Sequence, residues 1–87
     1  MTGRDEAQAL QRLAQIIRRA RAAAEMTQED VAFAAGVSVR HYQELESGRL
    51  NPSFLTLRAV AAATGTTLAK LAANADRNRR AARTTTD

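Results

Sequence analysis

Between positions 38 and 51 the chain gathers side chains built to donate and accept hydrogen bonds rather than to make or break covalent ones. Arg40 is a forked donor, Gln43 both donates and accepts, Glu44 accepts only, and Val39 adds a small apolar face. Ser38, Arg49 and Asn51 flank them, and Gln28 stands upstream. Such a set suits non-covalent reading of a polar surface. The catalytic alternatives are thin. His41 is the single histidine, and without a nucleophile and an orienting partner it forms no catalytic constellation, so it is expected at the surface. Glu29 and Asp30 are adjacent carboxylates, but a helix start, where negative charge is favoured, accounts for them better than acid–base chemistry. The absence of Cys excludes a disulfide framework and thiol chemistry, and one His builds no zinc site. No enzyme, metal or cofactor is expected.

The elements that must position these side chains are helices. Leu10, Leu13, Ile17, Ala20 and Ala24 recur at three- and four-residue steps, which predicts a first helix from about Asp5 to Ala24. Thr27 caps a second, with Asp30 completing an approximate capping box, Val31, Ala34 and Ala35 facing inward, and Gly36 ending it in a left-handed turn. Ser38 opens a third helix to about Ser47, with Tyr42 and Leu45 inward and Gly48 closing it. Pro52 pushes Asn51 toward an extended backbone, so the helical pattern breaks there. Ser53 caps a fourth helix through Thr64 that buries Phe54, Leu57, Val60 and Ala61. Gly65 stops it, and Thr66 or Thr67 opens a short fifth with Leu68 and Leu71 inward. No strand alternation, tandem repeat or Gly-rich phosphate loop interrupts this pattern.

The 87 residues are one domain's worth, all-α. Residues 1–9 read as an N-terminal extension and the start of the first helix, and 10–75 as the domain. Residues 76–87, with Arg77, Arg79, Arg80 and Arg83, read as a basic, disordered tail. Twenty alanines and 3% aromatic residues imply a thin core of closely approaching helices. Arg12, Arg18, Arg19 and Arg21 interrupt the early apolar runs, so neither a signal peptide nor a membrane span is expected and the chain reads as cytoplasmic. The net charge is +4, yet setting aside the four tail arginines leaves nine basic groups against nine acidic ones. Local arrangement, not overall charge, must carry any argument for a polyanionic partner.

That arrangement lies at the junction of the second and third helices. Only Gly36, Val37 and Ser38 separate them, which forces a steep crossing of ~90–120°. Ala32 is the small residue where the backbones meet, Gly36 makes the bend, and Val31, Ala35, Val37, Tyr42 and Leu45 supply apolar contacts. Val39, Arg40, Gln43 and Glu44 are left on the outer side of the third helix, whose dimensions fit a DNA major groove.

Four motifs stand in register between about Leu13 and Leu71: Met26-Thr27-Gln28-Glu29-Asp30-Val31-Ala32, Ala35-Gly36-Val37-Ser38, Leu45-Glu46-Ser47-Gly48 and Asn51-Pro52-Ser53-Phe54-x-Thr56-Leu57. With them the sequence resembles the helix-turn-helix family of phage repressors and their bacterial relatives, the xenobiotic-response-element or Cro type. The resemblance implies a compact five-helix bundle, the lambda-repressor-like DNA-binding domain. It also implies an ion pair between Arg21 and Glu46 that joins the first helix to the end of the third, a phosphate contact from Gln28, and base-reading positions at Val39, Arg40, Gln43 and Glu44. The sequence departs from the family at Glu25, where a Gly is usual, at Thr64 and Thr66, where apolar residues are usual, and at Ala20, which is smaller than usual.

Each base-reading residue has a chemical preference: Arg40 for guanine, Gln43 for adenine, Glu44 for cytosine N4, and Val39 for a thymine methyl. Phosphates fall to Gln28, Ser38, Arg49, Asn51 and the free amides at the starts of the second and fourth helices. One such helix reads only a few base pairs, so useful specificity calls for two of them ~34 Å apart, hence a homodimer on a pseudo-palindrome. The fourth and fifth helices and the Leu50 loop are the candidate joining surfaces. The expected function is sequence-specific regulation of transcription, by repression, in a cytoplasmic protein held at the nucleoid by its DNA. The same fold would serve a restriction-modification controller. It would also serve an antitoxin or other protein-interaction module whose partner, such as a toxin, covers Phe33 and Leu55, both expected to point outward.

Overall fold

The computed structural model describes residues 2–73, and among them the regular structure is wholly helical. In order come α1 (Thr2–Ala23), α2 (Gln28–Ala35), α3 (Val39–Glu46) and α4 (Phe54–Ala63). A fifth helix, α5, occupies residues 68–73. The arginine-rich tail lies outside the described residues.

From α2 onward each start is set by a hydroxyl. Thr27 Oγ1 accepts from the Asp30 N–H at 3.0 Å while Asp30 Oδ2 accepts from the Thr27 N–H at 2.9 Å, a reciprocal capping box. The hydrogen bond from the Thr27 backbone holds the Asp30 carboxyl below the usual carboxylate range. Ser38, Ser53 and Thr67 accept in the same way from the N–H groups of His41, Thr56 and Lys70.

The ends of α1 to α4 share one closure. The N–H groups of Met26, Val37, Arg49 and Thr66 each reach back five residues, to the carbonyls of Arg21, Ala32, Glu44 and Ala61. That closure needs a residue of left-handed backbone just before the donor. Gly36, at φ 75°, supplies it between α2 and α3 and makes the tight link the sequence predicts. At the end of α1 the residue is Glu25, at φ 56°, so α1 does not run on and a side-chain-bearing residue takes the strained conformation.

The short links fold α1, α2, α3 and α4 around one core. Val31 and Ala32 of α2, Tyr42 and Leu45 of α3, Ile17 of α1 and Val60 of α4 are buried together. Met26, Ala35, Val37, Leu50 and Leu57 pack around them. Leu50 is thus engaged by its own chain. A second cluster of Ile16, Ala61 and Leu71 ties α5 to α1 and α4. Thr64 stands where an apolar residue is usual because its hydroxyl donates to the Val60 and Ala61 carbonyls, which satisfies it within the last turn of α4.

Some placements differ from expectation. α1 begins at Thr2 rather than Asp5, and it buries Ala14 and Ile16 beside Ile17, a wider stripe than the predicted one. On α2 the inward place belongs to Ala32 and not to Ala34, which is exposed, because the buried face is centred on Val31 and Ala32. Phe54 is 62% exposed. It shares the phase of Leu57 but is the first residue of α4, and its side chain leans past the helix end, where no further turn covers it. His41 is half-buried rather than exposed. Phe33, 89% exposed, and Leu55 point outward as expected.

Replacing Glu25 by Gly relieves a left-handed side-chain residue while adding freedom to the unfolded chain, so the net stabilisation expected is about 0.5–1 kcal/mol. Thermal unfolding of Glu25→Gly should therefore show a midpoint several degrees higher; an unchanged or lower midpoint would mean that Glu25 is not strained in solution.

Candidate nucleic-acid interface

α3 turns Tyr42, Leu45 and Glu46 inward and leaves Arg40, Gln43 and Glu44 outward, with Val39 36% exposed at its start. Glu46 is the exceptional member of the inner side, a carboxylate only 4% exposed. A charge so far from water must be paired and hydrogen-bonded throughout. Its Oε2 accepts from Arg21 Nε at 2.5 Å and from the Tyr42 hydroxyl at 2.5 Å. Its Oε1 accepts from Arg21 Nη2 at 3.2 Å and Gln28 Nε2 at 2.9 Å. Burial pushes the Glu46 carboxyl up, but the hydrogen bonds from Arg21, Tyr42 and Gln28 outweigh it and hold the group below the usual carboxylate range. The bond to Glu46 raises Arg21 further, and burial, reinforced by Glu46, pushes the Tyr42 phenol well above its ordinary value.

Arg21 reaches further still. Its Nη1 donates to the Met26 carbonyl at 3.1 Å, which pins the turn that contains Glu25. From the same side of α1, Arg18 donates to the Glu46 carbonyl and Gln11 to the Ser47 carbonyl, the latter at 3.1 Å. These are the free carbonyls at the C-terminal end of α3, where partial negative charge favours a guanidinium. Gly48 makes room for this contact, since a Cβ there would overlap the Gln11 amide.

On the outer side Arg40 is 89% exposed and its Nε lies 3.9 Å from Glu44 Oε2, an open pair worth at most ~1 kcal/mol. Gln43 Nε2 donates to Gln28 Oε1 at 3.2 Å. Gln28 therefore bridges the buried carboxylate and the outer face. For a phosphate it retains its main-chain N–H at the open start of α2 and one amide hydrogen. Ser38 caps α3 with its hydroxyl, while Arg49 and Asn51 are exposed on the segment between α3 and α4. The residues predicted to read bases thus share one face of α3. Those predicted to hold phosphates sit at its two ends and at the start of α2. Ala32 lies buried within α2, Gly36 and Val37 lie in the link that follows, where the Val37 N–H donates to the Ala32 carbonyl, and Arg21 and Glu46 form an ion pair.

Sequence reasoning overlooks the Tyr42 hydroxyl on Glu46, the double engagement of Gln28, and the hold of Arg18 and Gln11 on the end of α3. The four-residue spacing of Tyr42 and Glu46 is the available signal for the first. The other contacts depend on which helices meet. Among the described residues no cluster could hold a metal ion, and no helix is long and apolar enough to cross a membrane.

The helix-turn-helix family model matches residues 17–71, from α1 into α5. The chain belongs to the Cro-type helix-turn-helix family of DNA-binding transcription regulators. Among solved structures it is similar to two of the clp gene regulator ClgR from Corynebacterium glutamicum. One is 30% identical with a TM-score of 0.74, over 80% of this chain and 91% of that one. The other is 30% identical with a TM-score of 0.77, over 86% of this chain and 82% of that one. No curated protein sequence matches. Within this helix-turn-helix chain, α2 and α3 are the pair joined by the short link, and the network behind α3 sets their geometry.

Removing Arg21 strands a buried carboxylate, so Arg21→Ala is expected to destabilise the fold by about 3–5 kcal/mol in denaturant unfolding. The double variant Arg21→Met with Glu46→Met should lose markedly less; equal losses would mean the charge is not buried in solution. Because the folded Glu46 carboxyl is lowered, its stabilisation is complete above the unfolded carboxylate value and disappears as pH falls through the folded one. Acid unfolding of the double variant should lack that component.

Proposed function

We propose that the chain binds double-stranded DNA as a homodimer on a pseudo-palindromic operator and represses transcription by occupying it. The observation that carries this reading is the outer face of α3, where Val39, Arg40, Gln43 and Glu44 stand free of the core on a helix fixed from behind by Glu46. Two α3 helices ~34 Å apart would meet successive major grooves on one side of the duplex. Arg40 donates to guanine O6 and N7, Gln43 pairs with adenine, Glu44 accepts from cytosine N4, and Val39 packs on a thymine methyl. Gln28, Ser38, Arg49 and Asn51, with the open amides of α2 and α4, hold phosphates and set the register. Glu44 works against raw affinity near phosphates, which favours selectivity over tight general binding. Similarity to ClgR, described as a clp gene regulator, supports a regulatory role. Occupancy alone suffices to exclude another protein from the same duplex.

A second reading, an antitoxin or other protein-binding module, draws on the exposure of Phe33 and Leu55. A restriction-modification controller would use the same DNA-binding face. Selection from random duplex, followed by measurement of the stoichiometry on the winning sequence, separates these readings. An enriched palindrome with two chains bound is expected. No enrichment, together with partner-dependent assembly of nuclease-treated protein, would favour the protein-binding module.

On the selected operator, Arg40→Ala should relax preference at one base pair by about tenfold, whereas Arg49→Ala should weaken all sequences alike and flatten the salt dependence. Uniform weakening by both substitutions, read by fluorescence anisotropy across a set of single-base variants, would remove Arg40 from base reading.

A further inference from the structure

We propose that the buried Glu46 carboxylate fixes, through Gln28, which end of the Gln43 amide faces DNA, so that Gln43 presents its carbonyl oxygen and selects bases carrying an amino group. This inference rests on the DNA-reading role assigned to α3. A primary amide has a donor end and an acceptor end of nearly equal shape, and either can be turned outward unless a neighbour decides. Here a neighbour does. The carboxylate of Glu46 only accepts, and it takes the Gln28 NH2 group at 2.9 Å. Gln28 Oε1 is therefore turned the other way, where it too only accepts, and it takes the Gln43 NH2 group at 3.2 Å. Two bonds from the charge, the sense of Gln43 is settled: among the described residues its Oε1 has no partner, nor has one amide hydrogen. Reversing Gln43 alone would set two carbonyl oxygens against each other, and reversing both amides would set Gln28 Oε1 against the carboxylate.

A free acceptor beside one free donor matches adenine, which offers N6–H and N7 in the major groove, and it accepts from cytosine N4–H. Guanine O6 and N7 and thymine O4 present only acceptors on that edge, so they leave Oε1 unpaired. The neighbouring readers do not share this constraint. Arg40 can only donate and Glu44 only accept whatever surrounds them. Gln43 is the one reader whose chemistry could be inverted by rotation, and it is the one tied to the core. Gln28 is accordingly a positioning residue for base selection as well as a phosphate ligand.

The test uses the full chain and an operator selected from random duplex by the unmodified protein. The position read by Gln43 is the one at which Gln43→Ala loses preference. Affinities for the preferred base pair there, and for the same pair lacking its major-groove amino group (purine for adenine, 2-pyrimidinone for cytosine), are then measured for the unmodified chain, Gln28→Leu and Gln28→Met, each first checked for folding by thermal melt. The second keeps the side-chain length without the amide. The unmodified chain is expected to bind the pair that keeps its amino group about tenfold more tightly than the one that lacks it. In the Gln28 variants this ratio should shrink to about threefold or less, while ratios at other positions persist and overall affinity falls. Indifference of the unmodified chain to loss of that amino group overturns the relay. So does a Gln28 variant that weakens both duplexes equally and keeps the ratio, the mark of a purely structural role, or a Gln43→Ala substitution that changes no position. If the unmodified chain enriches no sequence, the DNA-reading assignment fails and the relay's purpose falls with it.

Discussion

A carboxylate taken out of water governs this small protein. Glu46 sits where α1, α2 and α3 meet, and each helix contributes to its solvation shell: Arg21 from the first, Gln28 from the second, Tyr42 from the third. Leaving any of these bonds unmade in a low-dielectric interior costs more than a few lost apolar contacts. Hydrogen bonds to the carboxylate are also directional. The surrounding core of Ile17, Val31, Ala32, Leu45 and Val60 is small and smooth, and such side chains hold helices together without strongly dictating how they slide or rotate. The charge supplies the missing geometric definition, at the place where the angle of α3 matters.

The remaining supports act on the same helix. Gly36 bends the chain into α3, Ser38 caps its start, and Arg18 and Gln11 close its end against α1. α3 is thus held by its back and both ends. Among the described residues its outward side is open, and the bond from Gln43 to Gln28 is the one that crosses from that face toward the interior. The resulting division gives rigidity to the scaffold and freedom to the side chains expected to meet a duplex.

Much of this was legible in the sequence because the punctuation is local. Thr27, Ser38 and Ser53 mark helix starts through bonds to residues three positions on, and Gly36, Gly48 and Gly65 mark ends through backbone conformation. The outer set on α3 follows from where Tyr42 and Leu45 must go. The Arg21–Glu46 pair came from family resemblance, since no spacing rule connects residues on different helices. Where local periodicity misled, the cause was an end or a neighbour. Phe54 has the right phase but lies at a terminus, and Ile16 is buried only because Ala61 and Leu71 arrive beside it. The bonds of Gln28 were illegible for the same reason, as both partners lie on α3.

The anchoring of α3 from behind has an evolutionary corollary. Val39, Arg40 and Glu44 contribute little to the folded body, so exchange among polar or small residues at these places leaves the scaffold's stability nearly untouched. A duplicated copy could drift toward a new target through them in single steps, each intermediate still folded. Gln43 is less free to wander, because its partner Gln28 is leashed to the interior.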